Sequence, residues 1–223
     1  MKKATVAVTM MFALGLIFSA AVLVKAAVKK EMPDVFYVYN ESGSRLNHYV
    51  ESGWMGDYGD LKLDPRWTKG VAKPAQKATK AKKAAEEVMK DETCIKITYT
   101  AERKQGNGWA GIYWQSPANN WGDKKGGNNL TGYSKLLLWA RGDKGGEIVD
   151  KFQIGGIAGK TEEGDSDEAN IGPFTLTEKW TEYSIDLTGL DLSHIIGGFM
   201  FVANADSNPN GFVIYLDDVR LVK

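Results

Sequence analysis

Aromatic and hydrogen-bonding side chains recur on one face of several segments in which apolar and polar residues alternate. Side chains of an extended strand point alternately to opposite faces of its sheet, so each segment divides into two sets. If these segments share one sheet, its second face carries Tyr113, Trp139, Arg141, Lys151, Gln153 and Asn204. Aromatic rings pack against the C–H faces of a pyranose, and the polar groups match its hydroxyls. The set predicts a saccharide-binding face; the alternative is that Tyr113 and Trp139 form a minor core under a loop.

Two further aromatic groups fall in segments rich in Gly, Asn and Asp. The first comprises Trp54, Tyr58 and Trp67, and the second is Trp121 with its neighbouring asparagines. Such residues either edge a binding groove or pin a long loop onto the sheet beneath it. The pattern leaves both interpretations open and favours the second, in which each aromatic residue anchors its loop onto the sheet.

Groupings that could catalyse a reaction are sparse. A glycosidase needs two carboxylates across a cleft, and Glu182 and Asp186 share a strand face that we expect to point to solvent. The two histidines, His48 and His194, belong to no catalytic pattern, and no nucleophile elbow, phosphate-binding loop or zinc motif occurs. A glycoside hydrolase or polysaccharide lyase is therefore the least favoured function.

The elements that would position these residues are short strands. From Asp34 onward the hydrophobic pattern has a period of two, with Gly- and Asn-rich turns between the segments. The expected strands span 35–39, 61–63, 94–100, 108–115, 135–141, 149–155, 174–176, 181–187, 198–203 and 212–221. This spacing predicts an all-β fold, an antiparallel sandwich or barrel.

One segment departs from the strand pattern. Residues 73–90 are rich in Ala, Lys and Glu, which is a helix-forming composition. We expect a short helical insertion at about 71–91, forming either a solvated surface or a basic patch for an anionic polymer.

The N-terminus has the pattern of an export signal. Lys2 and Lys3 precede an uncharged apolar stretch, so residues 1–26 are predicted to be a signal peptide or an uncleaved membrane anchor. Either places a single β-sandwich domain, residues 27–223, in the periplasm, on the cell surface or in the medium. The 28 basic residues balance 28 acidic ones, which argues against a nucleic-acid-binding protein.

Three short motifs resemble strands of a known family. The C-terminal GFVIYLDDVRLVK resembles the closing strand of jelly-roll carbohydrate-binding modules with the galactose-binding-like fold. KLLLWARG followed by KFQIGG resembles the middle of these modules, and WTEYSIDLTGLD resembles a late strand. The resemblance covers about residues 34–223 and implies a jelly-roll β-sandwich that binds glycans on a concave face or in edge loops.

The same resemblance implies one structural calcium ion. Many members hold it between the first strand and an Asp of the last strand; Asp217 matches that Asp, and Asn40 and Glu41 stand near the N-terminal position. Calcium takes oxygen ligands of this kind. The alternative for Asp217 is a polar residue at a strand end, and the Lys-rich insertion is not part of the family pattern.

These observations predict an exported, noncatalytic module that binds a polysaccharide, with no nucleic-acid partner and no membrane contact except through an uncleaved N-terminal segment. A structural or interaction protein of the cell envelope is the second hypothesis, and an enzyme on the same fold is the third. The order depends on the site residues, because one fold hosts many functions.

Overall fold

The computed structural model describes residues 32–68, 70, 73, 93–159 and 163–223. The predicted leader, and all of the predicted insertion except Lys73, lie outside these residues. The strands are β1 (Val35–Tyr39), β2 (Val50–Gly56), β3 (Leu61–Trp67), β4 (Cys94–Tyr99), β5 (Trp109–Gln115), β6 (Lys135–Gly142), β7 (Ile148–Val149), β8 (Lys151–Gly155), β9 (Glu168–Ile171), β10 (Phe174–Thr175), β11 (Thr181–Asp186), β12 (Gly197–Asn204) and β13 (Phe212–Val222). A 3₁₀ turn, Tyr58–Asp60, precedes β3. None of the described helices could cross a membrane.

Each predicted strand segment overlaps an observed strand, and two strands, β2 and β9, were missed by the sequence pattern. β2 carries Gly53 and Gly56, and β9 is only four residues long. Neither has a strong intrinsic strand signal, so their pairing with β5 and β8 decides their conformation.

The first sheet has six strands in the order β11-β6-β13-β4-β3, with β1 also paired to β13. β13 is central: β6 runs along one side, and β4 and β1 follow one another along the other. The register shifts between Asp217 and Arg220, where pairing with β4 ends and pairing with β1 begins. Asp218 has φ +52° in this irregularity.

The second sheet has five strands in the order β2-β5-β12-β8-β9. In its central strand, Met200 lies opposite Tyr113 on β5 and Gln153 on β8. The next residue, Phe201, lies opposite Ile112 and Phe152. Because neighbouring residues of a strand face opposite ways, one row lies on the outer face and the other in the core. β7 and β10 form a separate two-stranded sheet.

The core lies between the two larger sheets. Ile112, Trp114, Phe152 and Phe201 are completely buried there. Aromatic contacts cross from one sheet to the other: the ring centres of Phe152 and Tyr183 are 6.0 Å apart, and those of Phe201 and Phe212 are 6.2 Å apart. The predicted all-β, antiparallel sandwich is confirmed.

A second apolar cluster covers part of the outer face of the six-stranded sheet. We call it the outer aromatic cluster; it consists of Trp67, Cys94, Trp139, Trp180 and Tyr215. Cys94 is fully buried, and burial raises the pKa of its thiol to about 12. The thiol therefore remains protonated and packs as a small apolar group.

Candidate functional site

A groove of about 670 Å³ lies on the outer face of the five-stranded sheet. β2, β5, β12, β8 and β9 all contribute side chains to it, and two loops form its walls. Its lining comprises Met55, Trp109, Tyr113, Trp121, Lys151, Gln153, Gly156, Ile157, Ala158, Gly159, Glu168, Met200 and Val202. A concave site with many apolar side chains and a few polar groups is the usual form of a ligand pocket.

The floor of the groove contains a buried polar pair. The Tyr113 hydroxyl donates to the carbonyl oxygen of Gly155 at 2.9 Å, and the Gln153 amide nitrogen lies 3.0 Å from that hydroxyl and 2.9 Å from the same carbonyl. Burial raises the pKa of Tyr113, so the phenol stays neutral and keeps its proton to donate. No described residue hydrogen-bonds to the Gln153 amide oxygen, so it remains available to a ligand donor.

Two exposed indoles flank this floor. Trp109 is 37% exposed and Trp121 is 40% exposed, which is unusual for rings of this size. Trp121 stands edge-on to Tyr113 with the ring centres 6.1 Å apart. Gly56 has φ +61°, and a Cβ there would lie 2.9 Å from Cδ2 of Trp109, so only glycine lets the indole lie over the end of β2.

The charges in the groove nearly balance. Lys151 is half-buried and makes no ion pair with a described residue, and the exposed Glu168 carboxylate lies 3.3 Å from the Gln153 amide nitrogen. Glu168 is the one acidic residue among the described lining residues. The groove therefore offers a ligand one cationic group, Lys151, and one anionic group, Glu168, and neither sign of charge dominates its electrostatic field.

Internal hydrogen bonds hold the loops that form the groove walls. Asp165 accepts hydrogen bonds from the backbone N–H groups of Ile157, Ile196 and Gly197. Burial raises the pKa of Asp165 more than these three bonds lower it. The buried Asn120 accepts from the N–H of Gly122, which orders the turn that presents Trp121. The groove is therefore largely preformed.

Both histidines have structural partners. The ring nitrogens of His194 lie 2.8 Å from the carbonyl oxygen of Gly164 and 2.9 Å from that of Gly126, so this ring joins the two wall loops. His48 stacks on Phe36 with the ring centres 4.0 Å apart. Neither ring lines the groove.

The structure brings three of the six predicted ligand-binding residues together. Tyr113, Lys151 and Gln153 line the groove. Asn204 lies at the end of the central strand of the same sheet, but its side chain turns into the next loop and accepts from the N–H of Asp206 at 2.6 Å. It does not line the groove.

The prediction that Trp139 and Arg141 share this face is wrong. Both lie on β6, which belongs to the six-stranded sheet. Trp139 is 8% exposed within the outer aromatic cluster, and the Arg141 guanidinium lies 4.0 Å from the centre of the Tyr215 ring. Alternation correctly placed them on an outward face, but it contains no information about which sheet a strand joins.

The sequence reasoning also missed important groove residues. Trp109 shares a strand face with Tyr113, and this alternation could have identified it. Trp121 stood out as a loop aromatic, but only the fold of its loop shows that it edges the groove rather than pins the loop. The sequence pattern did not single out Glu168, because it did not predict β9 as a strand.

The residues predicted to hold calcium have protein partners in this arrangement. The buried Asp217 carboxylate pairs with the Lys73 ammonium at 2.7 Å and accepts from the N–H of Asp218 at 2.7 Å. Glu41 accepts from the backbone N–H of Thr93 at 3.0 Å and from its hydroxyl, and the N–H of Asn40 donates to Asn47. No cluster of three or more metal-binding side chains of His, Cys, Asp or Glu occurs in the described part of the chain. Calcium binding stays a prediction.

The two carboxylates considered for catalysis are also engaged. Glu182 pairs with Arg220 at 2.6 Å, and Asp186 accepts from the hydroxyl of Thr188 at 2.7 Å. Both lie on β11, an edge of the six-stranded sheet, and neither lines the groove.

Comparison with solved structures relates this architecture to known proteins. A crystal structure of a family 30 carbohydrate-binding module matches 85% of this chain and 98% of its own, with 14% identity and a TM-score of 0.50. The fold resembles that of carbohydrate-binding modules. At this identity the similarity concerns the fold alone.

Two other solved structures are less similar to this chain. A second family 30 module has 16% identity and a TM-score of 0.46, covering 84% of this chain and 87% of that one. The family 11 module of a cellulosomal cellulase of Clostridium thermocellum has 14% identity and a TM-score of 0.46, covering 78% and 88%. No protein-family profile matches the sequence, and no curated protein matches it either.

Proposed function

We propose that this chain binds a polysaccharide, without cleaving it, in the groove of the five-stranded sheet. The observation that carries this proposal is the pair of exposed indoles, Trp109 and Trp121, beside a buried hydrogen-bonded floor. Large aromatic rings left open to solvent offer flat apolar area at little conformational cost. They match the C–H faces of sugar rings.

The polar groups supply the other half of sugar recognition. The Gln153 amide oxygen can accept from a hydroxyl, and the Lys151 ammonium can donate to one. The Tyr113 hydroxyl holds the Gln153 amide in place, so less side-chain entropy is lost when a ligand binds.

Two further observations support binding without catalysis. Hydrolysis of a glycosidic bond ordinarily requires two carboxylates on either side of it, whereas Glu168 is the one acidic residue among the described lining residues. The solved structure with a TM-score of 0.50 is itself named a carbohydrate-binding module.

A truncation in the groove tests the proposal. Trp109→Ala should weaken polysaccharide binding by at least about tenfold, the usual size for a central aromatic contact, without lowering the Tm. Isothermal titration calorimetry against a panel of neutral and acidic polysaccharides gives the affinity, and a thermal melt checks the fold. Leu46→Ala is the matched control, because Leu46 is also 37% exposed but lies outside the groove.

Two outcomes would contradict the proposal. If Trp109→Ala and Leu46→Ala bind equally well, the groove is not the site. If the wild-type protein is folded and binds no polysaccharide of the panel, the exposed indoles serve another partner, and a structural role in the cell envelope becomes the better explanation.

We also propose that the protein acts outside the cytoplasm. The support is the basic and apolar pattern of residues 1–26. Fractionation of cells producing the full chain, followed by N-terminal sequencing, tests it. A mature N-terminus near residue 27 supports cleavage, the intact chain in the membrane fraction supports an anchor, and a cytoplasmic protein overturns the proposal.

A further inference from the structure

A second pocket of about 540 Å³ lies next to the groove. It is lined by Ser52, Trp54, Tyr58, Leu61, Asn119 and Trp121, and we call it the edge pocket. Trp121 lines the groove and the edge pocket alike. A ligand that packs against this indole in the groove therefore lies next to the edge pocket.

The aromatic rings of the edge pocket are widely exposed. Trp54 is 40% exposed and Tyr58 is 52% exposed. Together with Trp109 and Trp121, they account for four of the six large hydrophobic side chains exposed on the described surface. Exposed apolar area concentrated in one region of a soluble surface marks an interaction site more often than chance.

The polar groups of the edge pocket are also unused. No described residue hydrogen-bonds to the Tyr58 hydroxyl, the Trp54 indole nitrogen or the side-chain amide of Asn119. These groups offer both donors and acceptors beside two ring faces. The same combination of groups forms the groove.

Hydrogen bonds keep the edge pocket in shape. The N–H of Asn119, a residue with φ +54°, donates to the Ser52 hydroxyl at 3.0 Å, and that hydroxyl lies 2.9 Å from the Gln115 amide oxygen. The Gln115 amide nitrogen donates to the carbonyl oxygen of Asn120 at 2.8 Å, next to Trp121. The loop with Asn119 and Trp121 is thus tied to β2 and β5 before any ligand arrives.

The lining of the edge pocket contains no charged residue. An anionic or cationic ligand would have no opposite charge to replace its hydration there, whereas a neutral, hydroxylated one would find hydrogen-bond partners. This restricts the ligand class more sharply than the groove does, since the groove contains both Lys151 and Glu168.

We propose that the edge pocket is a second saccharide subsite for the same polysaccharide chain, and that this chain is neutral. This inference rests on the proposed function. A chain that fills the groove continues past Trp121 and places further sugar units between Trp54 and Tyr58. Because the second contact is then intramolecular, long chains bind more tightly than short ones.

The test compares ligand lengths in matched variants of the full chain. Calorimetry uses mixed-linkage β-glucan and cello-oligosaccharides, from the disaccharide to the octasaccharide, with dextran, mannan and xylan as further neutral probes. In the wild type, affinity should rise with length and then level off. In Trp54→Ala, the longest ligand should lose about tenfold in affinity and the shortest ligand that binds should lose nothing. Tyr58→Phe keeps the ring and removes only the hydroxyl, so it separates stacking from hydrogen bonding.

The outcomes distinguish the two proposals. If no neutral probe binds the wild type, this inference fails, and binding of acidic polysaccharides alone would leave the groove proposal standing. If Trp109→Ala abolishes binding while Trp54→Ala, alone or with Tyr58→Ala, leaves the length dependence unchanged, the edge pocket is not a subsite. An equal loss for short and long ligands in Trp54→Ala also overturns it, because the pocket would then not act as a separate subsite.

Discussion

The groove and the outer aromatic cluster are two aromatic surfaces on opposite sheets, and they differ in how open they are. Each has large rings beside a cationic side chain on an outward strand face. In the groove, Trp109 and Trp121 are 37% and 40% exposed, whereas in the cluster Trp139 and Trp180 are 8% and 9% exposed. The same residue types therefore serve as a candidate binding surface in one place and as packing in the other.

The difference has a structural cause. In the cluster, the Arg141 guanidinium lies over the Tyr215 ring, and the Trp180 indole N–H donates to the carbonyl oxygen of Gly70 at 2.9 Å. The ring faces there are covered by the protein itself, although the buried indole N–H groups of Trp67 and Trp139 have no hydrogen-bond partner among the described residues. In the groove, Lys151 has no partner among the described residues. Aromatic and cationic composition indicates binding only where the ring faces stay open to solvent.

The largest effect that separates the two surfaces is expected from Trp139→Ala. Removing a buried indole should lower the free energy of unfolding by about 3–5 kcal/mol through lost contacts and a cavity. Urea denaturation measures this, and calorimetry should show unchanged polysaccharide affinity for the folded protein. For Trp121→Ala we expect the opposite result. The polysaccharide affinity should fall, and the free energy of unfolding should change by less than about 1 kcal/mol. A Trp139→Ala protein of normal stability that no longer binds would restore the sequence-based assignment.

Tyr113→Phe tests the floor of the groove. It removes the hydroxyl that donates to Gly155 and lies beside the Gln153 amide, so we expect a loss of about 1 kcal/mol in stability. Affinity should also fall, because Gln153 loses the contact that holds it. Tyr133→Phe is the control: its hydroxyl donates to the carbonyl oxygen of Pro33 at 2.9 Å, away from the groove. Equal affinities in the two variants would show that the floor does not contribute to binding.

Asp57→Asn tests the support beneath Trp109. Burial alone would raise the pKa of the Asp57 carboxyl, but hydrogen bonds from the N–H groups of Asn107, Gly108 and Gln105 hold that pKa below its usual value. A lowered pKa means that the native state favours the charged form, so this contribution to stability is present above about pH 4 and is lost as acid protonates the folded carboxylate.

The expected result is therefore a pH-dependent difference. Asp57→Asn should be less stable than the wild type at neutral pH, and the two should converge in acid. Urea denaturation over a pH series measures both. A small loss of affinity should accompany the change, because the Asp57 carboxylate accepts from the N–H of Gly108, the residue before Trp109, at 2.6 Å. If the difference in unfolding free energy between the wild type and Asp57→Asn is the same at every pH, the charge of the Asp57 carboxylate does not contribute to stability.

The smallest effect is expected from calcium removal. Because the Lys73 ammonium already supplies a positive charge beside Asp217, a chelator should change the Tm and the affinity only slightly. Thermal melts with and without chelator, repeated after adding calcium, measure this. A Tm that falls on chelation and recovers with calcium would support the ion that the family resemblance implies.

Much of the fold could be predicted because alternation is a local property. The segments around Ile112, Phe152 and Phe201 show which side of each strand is apolar, and these residues are completely buried. The same alternation identified only part of the candidate site. Tyr113 and Gln153 were found because β5 and β8 flank the same central strand, whereas Trp139 was misplaced because β6 pairs with β11 and β13.

The sequence is enough to predict the all-β class, the two faces of most strands and the set of aromatic and amide side chains. These follow from side-chain alternation and composition within short segments. The tertiary structure alone decided which strands are neighbours, which indoles stay open and which charges meet. Strand order and loop closure join residues far apart in the chain, as when Lys73 meets Asp217, and no local pattern contains that information.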